Sequence, residues 1–307
     1  MEHVYDLSPL RLKGAWVTIG SFDGVHLGHR RLLSEFVAEA REAGAPAVVI
    51  TFYPHPAEVL GKVREPFYLS TPEEKAALMA DLGVDVVVTH PFNRDVARLS
   101  AEEFMERVRR HLGLRRLWVG YDFALGRNRE GNIATLKQIG ERMGYTLVVF
   151  PPYAVEGEIV SSSRIRRALA DGDVEKAARL LGRFYSVPGE VVRGDGRGRG
   201  LGFPTANLAV WEKRMVPASG VYAAFARVGD KVYPAVVNIG VRPTFEERAA
   251  PRVEAHLLGY SGNLYGEKLT LEFVKRLRAE RKFPSAEALR AQIEHDVAQA
   301  REILSTD

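Results

Sequence analysis

The feature that most limits the fold of this chain is a change of rhythm near residue 184. From residue 15 to about 182, short apolar runs alternate with segments of helical period. Ala15-Trp16-Val17-Thr18-Ile19 ends at Gly20. A helix is expected over Leu27–Ala43, with Leu32, Leu33, Phe36, Val37 and Ala40 on one face. Strands follow at Ala47–Phe52, Val84–Thr89, Leu117–Val119 and Leu147–Phe150. Helical segments near Pro72–Leu82, Ala101–Leu112 and Ile133–Met143 separate them. Near-continuous apolar strands alternating with helices predict a parallel sheet covered on both faces, a Rossmann-like α/β domain. Ligands of such sheets bind at the carboxyl ends of the strands, so the loop from Gly20 to His29 is the first place to seek a site.

Beyond Phe184 the segments shorten and turn residues multiply. Glu190–Val192, Val221–Val228, Val232–Ile239, Arg252–Leu258 and Lys268–Val274 read as strands, and Gly229-Asp230 is a hairpin signal. Leu289, Ile293, Val297 and Leu304 mark one amphipathic helix at the C-terminal end, with Ser285 as its N-cap. Strands followed by a single helix predict a small antiparallel β-barrel with a C-terminal helix packed on it. The 307 residues leave room for two domains of roughly 100–200 residues each. The expected division is 1–183 and 184–307.

Composition narrows the chemistry. The absence of cysteine excludes disulfides, thiolate metal sites and thiol catalysis. No apolar run reaches the roughly 20 residues of a membrane helix, and Met1–Asp6 shows no secretory pattern. A cytoplasmic location with no membrane partner is therefore expected. The net charge of +4 is small for this length and suits an anionic small molecule as well as a nucleic acid.

In the first half, Gly20-Ser21-Phe22-Asp23-Gly24-Val25-His26-Leu27-Gly28-His29 joins the first strand to the first helix. The N–H groups of a first helical turn lack internal partners and suit a phosphate. His26 and His29, three residues apart, fall on nearly the same side of that turn, and Gly28 leaves space between them. Imidazoles so placed can donate hydrogen bonds to charge developing on a transferring phosphate, with no covalent intermediate. Two solvated histidines or a metal pair are the other readings of a bare His-x-Gly-His. A second cluster, Val160-Ser161-Ser162-Ser163-Arg164-Ile165-Arg166, adds hydroxyls and cations at a helix start one full sheet later. The pairing of the two clusters points to a nucleotidylyltransferase.

In the second half, Gly194–Asn207 is rich in glycine and carries Arg197 and Arg199. Glycines such as Gly200 and Gly202 let backbone approach a ligand closely, but no Gly-Lys-Ser/Thr follows, so this is not a Walker A loop. Thr205 and Asn207 project to the same side of an extended chain, and neutral oxygens joined by substrate phosphates can hold Mg²⁺. An RNA-binding tract is the competing reading. Its single aromatic, Phe203, supplies no series of stacking platforms, so no nucleic-acid partner is expected. Glu254 alternates out of phase with Val253, Ala255 and Leu257, and faces a cleft or solvent if those three pack inward.

Gly20–His29, Phe52-Tyr53-Pro54-His55-Pro56, Val119–Gly126 and Val160–Arg166 together resemble the bacterial bifunctional riboflavin kinase/FAD synthetase family. The resemblance continues through Phe203-Pro204-Thr205-Ala206-Asn207, Asn238–Phe245, Val253–Leu258 and Leu264-Tyr265-Gly266. It implies an N-terminal FMN adenylyltransferase in which His26 and His29 are catalytic. Gly20, Phe22, Asp23, Gly24, Gly28, Asp122, Ser162, Ser163 and Arg166 would hold ATP there, and Pro54, His55 and Pro56 the flavin. It implies a C-terminal kinase with Glu254 as base, ATP on Gly200, Gly202, Pro204 and Thr205, and Mg²⁺ on Thr205 and Asn207. Riboflavin, FMN, FAD and ATP are then substrates and products, and flavin is not a resident redox group. A pantetheine-phosphate adenylyltransferase or a class I aminoacyl-tRNA synthetase shares His-x-Gly-His, but the first has no use for a second half of this kind. The Lys-rich loop and anticodon-binding domain of the second are not evident.

Overall fold

The structure, a computed structural model, describes residues 1–63, 66–194, 200, 202–241 and 251–305. Arg197, Arg199 and the stretch Arg242–Phe245 lie outside them. By internal packing the chain forms two units, residues 1–64 with 69–162, and residues 65–68 with 163–307.

The first unit is built from β1 (Glu2–Val4), β2 (Trp16–Ile19), α1 (Leu27–Glu42), β3 (Ala47–Tyr53), α2 (Pro56–Val59), α3 (Pro72–Ala80), β4 (Val86–Pro91), α4 (Arg94–Arg98), α5 (Ala101–Leu112), β5 (Arg116–Gly120), α6 (Ile133–Met143) and β6 (Thr146–Phe150). A small hairpin follows, β7 (Ala154–Val155) with β8 (Glu158–Ile159). The sheet runs β1-β4-β3-β2-β5-β6 and every pairing is parallel. Its central strands are apolar at successive positions because each face meets helices. Val17, Ile19, Val48, Ile50, Leu117 and Val119 pack with Phe104, Met105, Val108, Leu136 and Ile139 of α5 and α6. Trp16, Ala47, Val49 and Trp118 pack on the other side with Leu33, Phe36 and Val37 of α1 and Ala76 and Met79 of α3. Each large apolar side chain so buried contributes about 1.5–3 kcal/mol. Chain direction across the sheet reverses between β2 and β5, and crevices at such a switch point open at the strand ends. Gly20 and Gly120 stand there.

The second unit contains α7 (Ser162–Asp171), α8 (Val174–Leu181), β9 (Tyr185–Val192), β10 (Ala206–Val210), β11 (Gly220–Val228), β12 (Lys231–Val241), β13 (Pro251–Leu257), β14 (Lys268–Arg278) and α9 (Ala286–Leu304). Most of α7 belongs to it. The six strands close into an antiparallel barrel in the order β10-β13-β12-β11-β14-β9. Ala224, Ala226, Ala235, Val237, Val253, Ala255 and Leu271 are fully or almost fully buried. Val221, Ala223 and Val236, on the alternate parity, pack outward against Val297 and Ala300 of α9. Ser285 caps α9 by accepting from the Ala288 N–H at 3.2 Å. The Gly229-Asp230 hairpin joins β11 to β12. The sequence reading did not anticipate β1, β7, β8, β10, α2, α4 or α8, which are short.

Residues 65–68 belong to the barrel unit although they are remote from it in sequence. The Phe67 and Tyr68 N–H groups donate to the Lys213 carbonyl at 3.0 Å each, and Met215 N–H donates back to Tyr68 at 2.9 Å. The Tyr68 ring is 2% exposed and lies 5.0 Å from Trp211. Tyr68→Ala leaves a cavity under Trp211 and is expected to destabilise the barrel by about 3–5 kcal/mol, as large-to-small aromatic changes do. Denaturant titration followed by Trp211 fluorescence measures it, and an unmoved midpoint would deny the strap this role.

Candidate active sites

The loop after β2 is strained in a way its sequence alone does not announce. Phe22, Gly24 and Val25 all take positive φ, 47°, 77° and 37°. Two of these are bulky residues for which that region is unfavourable, and such strain persists only where neighbours over-determine it. The neighbours are visible. Asp23 is 2% exposed and accepts from the Leu69 N–H at 3.1 Å through both oxygens, and from the Ser70 N–H at 3.2 Å. Ser70 Oγ accepts from the Gly24 N–H at 3.0 Å. Ser162 Oγ donates to the Asp23 carbonyl at 2.8 Å. Asp23, which the family resemblance assigns to ATP, thus turns its carboxylate inward as a tether, and Ser162 braces the same loop.

His26 is the N-cap of α1, its Nδ1 accepting from the His29 N–H at 3.2 Å. In the neutral ring this leaves the proton on Nε2. The His26 and His29 rings stack with centroids 3.5 Å apart and planes 15° apart, and Phe22 meets His29 edge-on at 5.0 Å. Burial, the neighbouring His26 and the Lys75 ammonium hold the His29 imidazole well below its usual pKa, so it is neutral near pH 7. Its Nδ1 is buried and has no hydrogen-bond partner among the described residues. A Cβ on Gly28 would press against the His26 ring at 3.3 Å, so the glycine keeps the ring pair in place. Among the described residues no group of three His, Cys, Asp or Glu could hold a metal ion, and the pair gains no further ligand.

Beside the loop lies a cleft of about 390 Å³. Gly20, Ser21, His55, Pro56 and Asp122 line it together with Lys62 and Arg129, and Phe52, Phe92, Phe104 and Phe123 supply apolar surface. His55 caps α2 through Nδ1, 3.1 Å from the Ala57 N–H. Pro54 is not among the lining residues. Ser163 and Arg166 belong to the barrel unit. There Arg166 donates from Nε to the Phe67 carbonyl at 2.8 Å and stacks on the Phe67 ring at 3.6 Å.

On the barrel, register decides the site. Asn207 pairs with Glu254 across β10 and β13, and Asn238 pairs with Glu254 across β12 and β13. The three side chains form one row on the outer face, since Val253, Ala255 and Leu257 turn inward. Glu254 faces a cleft of about 310 Å³ under α9, with Thr205, Asn238, His256, Phe283 and Leu289 around it. Arg252 pairs with Glu254 and donates through Nε and Nη2 to Asn207 Oδ1 at 3.1 and 3.0 Å. Thr205 also lines a second cleft of about 310 Å³ with Pro204, Tyr260, Asn263 and Tyr265. His256 Nδ1 lies 2.8 Å from the Pro204 carbonyl and its ring meets Phe203 edge-on at 5.6 Å. Gly200 and Gly202 line neither cleft. Asn238, Arg252 and His256 were quoted only within longer stretches. Strand register, which one chain's pattern does not give, is what singles them out.

Residues 9–164 match the family model described as FAD synthetase, and residues 181–304 that described as riboflavin kinase. Proteins named bifunctional riboflavin kinase/FMN adenylyltransferase align along nearly all of both chains. The one from Bacillus subtilis is 39% identical over 92% of this chain and 90% of its own. The one from Pseudomonas fluorescens is 40% identical over 94% and 93%, and that from Escherichia coli 38% over 97% and 96%. The chain belongs to the bifunctional riboflavin kinase/FMN adenylyltransferase family. A solved structure from Streptococcus pneumoniae, named a macrolide-efflux protein, superposes with TM-score 0.89 at 29% identity, over 97% of this chain and 98% of that one. Among the described residues of this family member no helix is long and apolar enough to cross a membrane.

Depressed histidines give this unit a pH signature. Burial lowers the pKa of His3 and His90 as it does that of His29. A histidine held below its unfolded value of about 6.5 stabilises the fold fully above that pH and loses the contribution as pH falls further. The first unit is expected to unfold at lower denaturant at pH 5 than at pH 7. Equal midpoints would mean these rings titrate as exposed ones do.

Proposed function

We infer that this chain makes FAD from riboflavin in two transfers at separate sites. The barrel phosphorylates riboflavin with ATP to FMN, and the α/β half then adenylylates FMN with a second ATP, releasing pyrophosphate. The observation that carries the reading is that each half holds its own constellation, the stacked His26–His29 pair on the braced loop and the Asn207–Glu254–Asn238 row. Functionally, residues 1–183 are assigned to adenylyl transfer and 184–307 to the kinase.

In the kinase, the outer-face cleft under α9 takes the apolar ring system and Glu254 accepts the proton of the terminal hydroxyl. The alkoxide oxygen attacks the γ-phosphorus and ADP leaves. Arg252 holds Glu254 in place and offers positive charge near the transferring group. ATP lies along Gly200, Gly202, Pro204 and Thr205. The oxygens of Thr205 and Asn207 would hold Mg²⁺ arriving with ATP once the Asn207 amide oxygen leaves the Arg252 guanidinium that donates to it here. When bound, the cation draws negative charge off the phosphates.

In the transferase, the phosphate oxygen of FMN attacks the α-phosphorus and the bond to pyrophosphate breaks. The N-terminus of α1, with no acidic residue in its first turn, favours the triphosphate. His26 and His29 donate hydrogen bonds to the charge that develops, with Ser163 and Arg166 assigned to the distal phosphates. The aromatic walls of the 390 Å³ cleft suit a planar flavin, with His55 and Pro56 at its edge and Asp122 toward the nucleotide. The demand for ATP at both steps supports a cytoplasmic location.

His29→Ala should lower FAD formation by about 10²–10³-fold, the usual effect of removing a positioned donor, with FMN formation unchanged. Glu254→Gln should do the reverse: riboflavin is no longer phosphorylated, while supplied FMN still becomes FAD. Chromatography of riboflavin, FMN and FAD over time reads both, and parallel loss of both activities in either variant contradicts separate sites.

A further inference from the structure

Lys75 is a buried cation that neither transfer has yet used. It lies on α3, 2% exposed, on the same face of the sheet as α1. Its Nζ donates to the Ser21 carbonyl at 3.2 Å and to Thr51 Oγ1 at 3.0 Å. Thr51 Oγ1 in turn donates to the same Ser21 carbonyl at 2.9 Å. The ammonium therefore sits directly beneath the loop that carries His26 and His29.

A buried ammonium is costly unless an anion balances it. Among the described residues no carboxylate stands within ion-pair distance of Lys75. Asp23 and Glu73 attract it through space from beyond ion-pair distance, with the Asp23 oxygens held toward the Leu69 and Ser70 amides and Glu73 toward the Tyr5 hydroxyl at 2.9 Å. One of the three Nζ protons has no acceptor among the described residues. A buried cation whose counter-charges stand off at a distance is further stabilised when a polyanion arrives above the loop.

Resting on the adenylyl-transfer reading above, we propose that Lys75 is a positioning residue for that reaction: it clamps the Ser21 carbonyl and supplies, from below the loop, the positive charge that the bound triphosphate balances. It acts through the loop and does not touch the reacting atoms. The groups facing it are Asp23 on the loop, Glu73 on its own helix, His29 on α1 and His3 on β1. Its charge helps keep His29 neutral and therefore able to donate from one nitrogen without repelling its stacked partner.

Burial lowers the Lys75 pKa from its usual value to about 8, against the attraction of Asp23 and Glu73. The charge is present below that pH and lost as pH rises through it, and kcat/KM reports titration of the free enzyme. The test uses the full chain and measures kcat/KM for ATP in FAD formation from FMN between pH 6.5 and 9.5. Riboflavin phosphorylation by the same preparation serves as the control. Wild type should lose adenylyl transfer, relative to phosphorylation, above about pH 8. Lys75→Met, which keeps the length without the charge, should be lower by about 10²-fold at pH 7 and flat through pH 8. A purely structural lysine would move the unfolding midpoint in this variant and leave the alkaline fall intact. That fall persisting in Lys75→Met, or wild-type activity in the variant, overturns the proposal. If the variant does not fold, the wild-type profile decides, and a profile level beyond pH 9 overturns it equally. Wild type that makes FMN but no FAD at any pH removes the adenylyl-transfer reading, and this inference with it.

Discussion

The hydrogen bonds from Leu69 and Ser70 to the Asp23 carboxylate are the constraint on which the candidate site of the α/β half depends. The loop between β2 and α1 has to leave the sheet, expose a helix N-terminus and bring the His26 imidazole against that of His29 in the first turn of α1, all within the seven residues Gly20–His26. It does so through left-handed turns at Phe22, Gly24 and Val25. Positions like Phe22 and Val25 cost roughly 1–3 kcal/mol each. A buried carboxylate accepting from several backbone amides can offset that, because charge-assisted bonds in a low-dielectric setting are about twice as strong as neutral ones. The same carboxylate fixes the chain just before α3, whose Thr71–Glu74 capping box starts the helix that delivers Lys75. Loop, cap and buried cation are thus one assembly.

The barrel solves a related problem with register. A strand offers a side chain to each face every second residue, so an active row needs the right parity on each of several strands at once. Asn207, Glu254 and Asn238 meet that condition across β10, β13 and β12, while the interior parity is filled by small or branched residues such as Ala235, Val237, Val253 and Ala255. A one-residue slip of β13 would bury Glu254 and expose Val253. Closure of the six strands forbids that slip, so the Glu254 side chain is as secure on the outer face as the barrel itself.

Much of this was legible because period reports burial. The helices Ala101–Leu112 and Ile133–Met143 appear where the 3.6-residue pattern puts them, and the doubly covered strands read as continuous apolar runs because both faces are buried. Closure with a single C-terminal helix followed from strand density and from the Ser285 cap. The motif residues were legible as a set. Their division of labour was not. Asp23 reads on the page as a surface acid of a phosphate loop, whereas the fold turns it inward to amides 46 and 47 residues away in sequence. Lys75 reads as an ordinary charge on α3, since a polar residue at a core-facing position looks like noise in a periodic pattern. Arg252 acquires meaning only from β10 pairing with β13, and Tyr68 only from its bonds to Lys213 and Met215. Each of these depends on non-local contact, which local pattern does not encode.

The two sites also differ in where their positive charge resides. On the barrel it is an arginine, Arg252, half-exposed beside Glu254. Its guanidinium is bonded to the Glu254 carboxylate and to the Asn207 amide oxygen, so that charge is held in a fixed geometry. In the α/β half the charge under the loop is a buried lysine, and the His29 ring is held neutral by burial, by His26 and by that lysine. Desolvation makes each of these groups responsive to its neighbours. A site that must favour a triphosphate and then release pyrophosphate gains from charge that strengthens when an anion is present and weakens when it leaves. On the proposal that Lys75 serves adenylyl transfer, its burial, with no ion-pair partner among the described residues, supplies that response, and a surface lysine in the same sequence position would not.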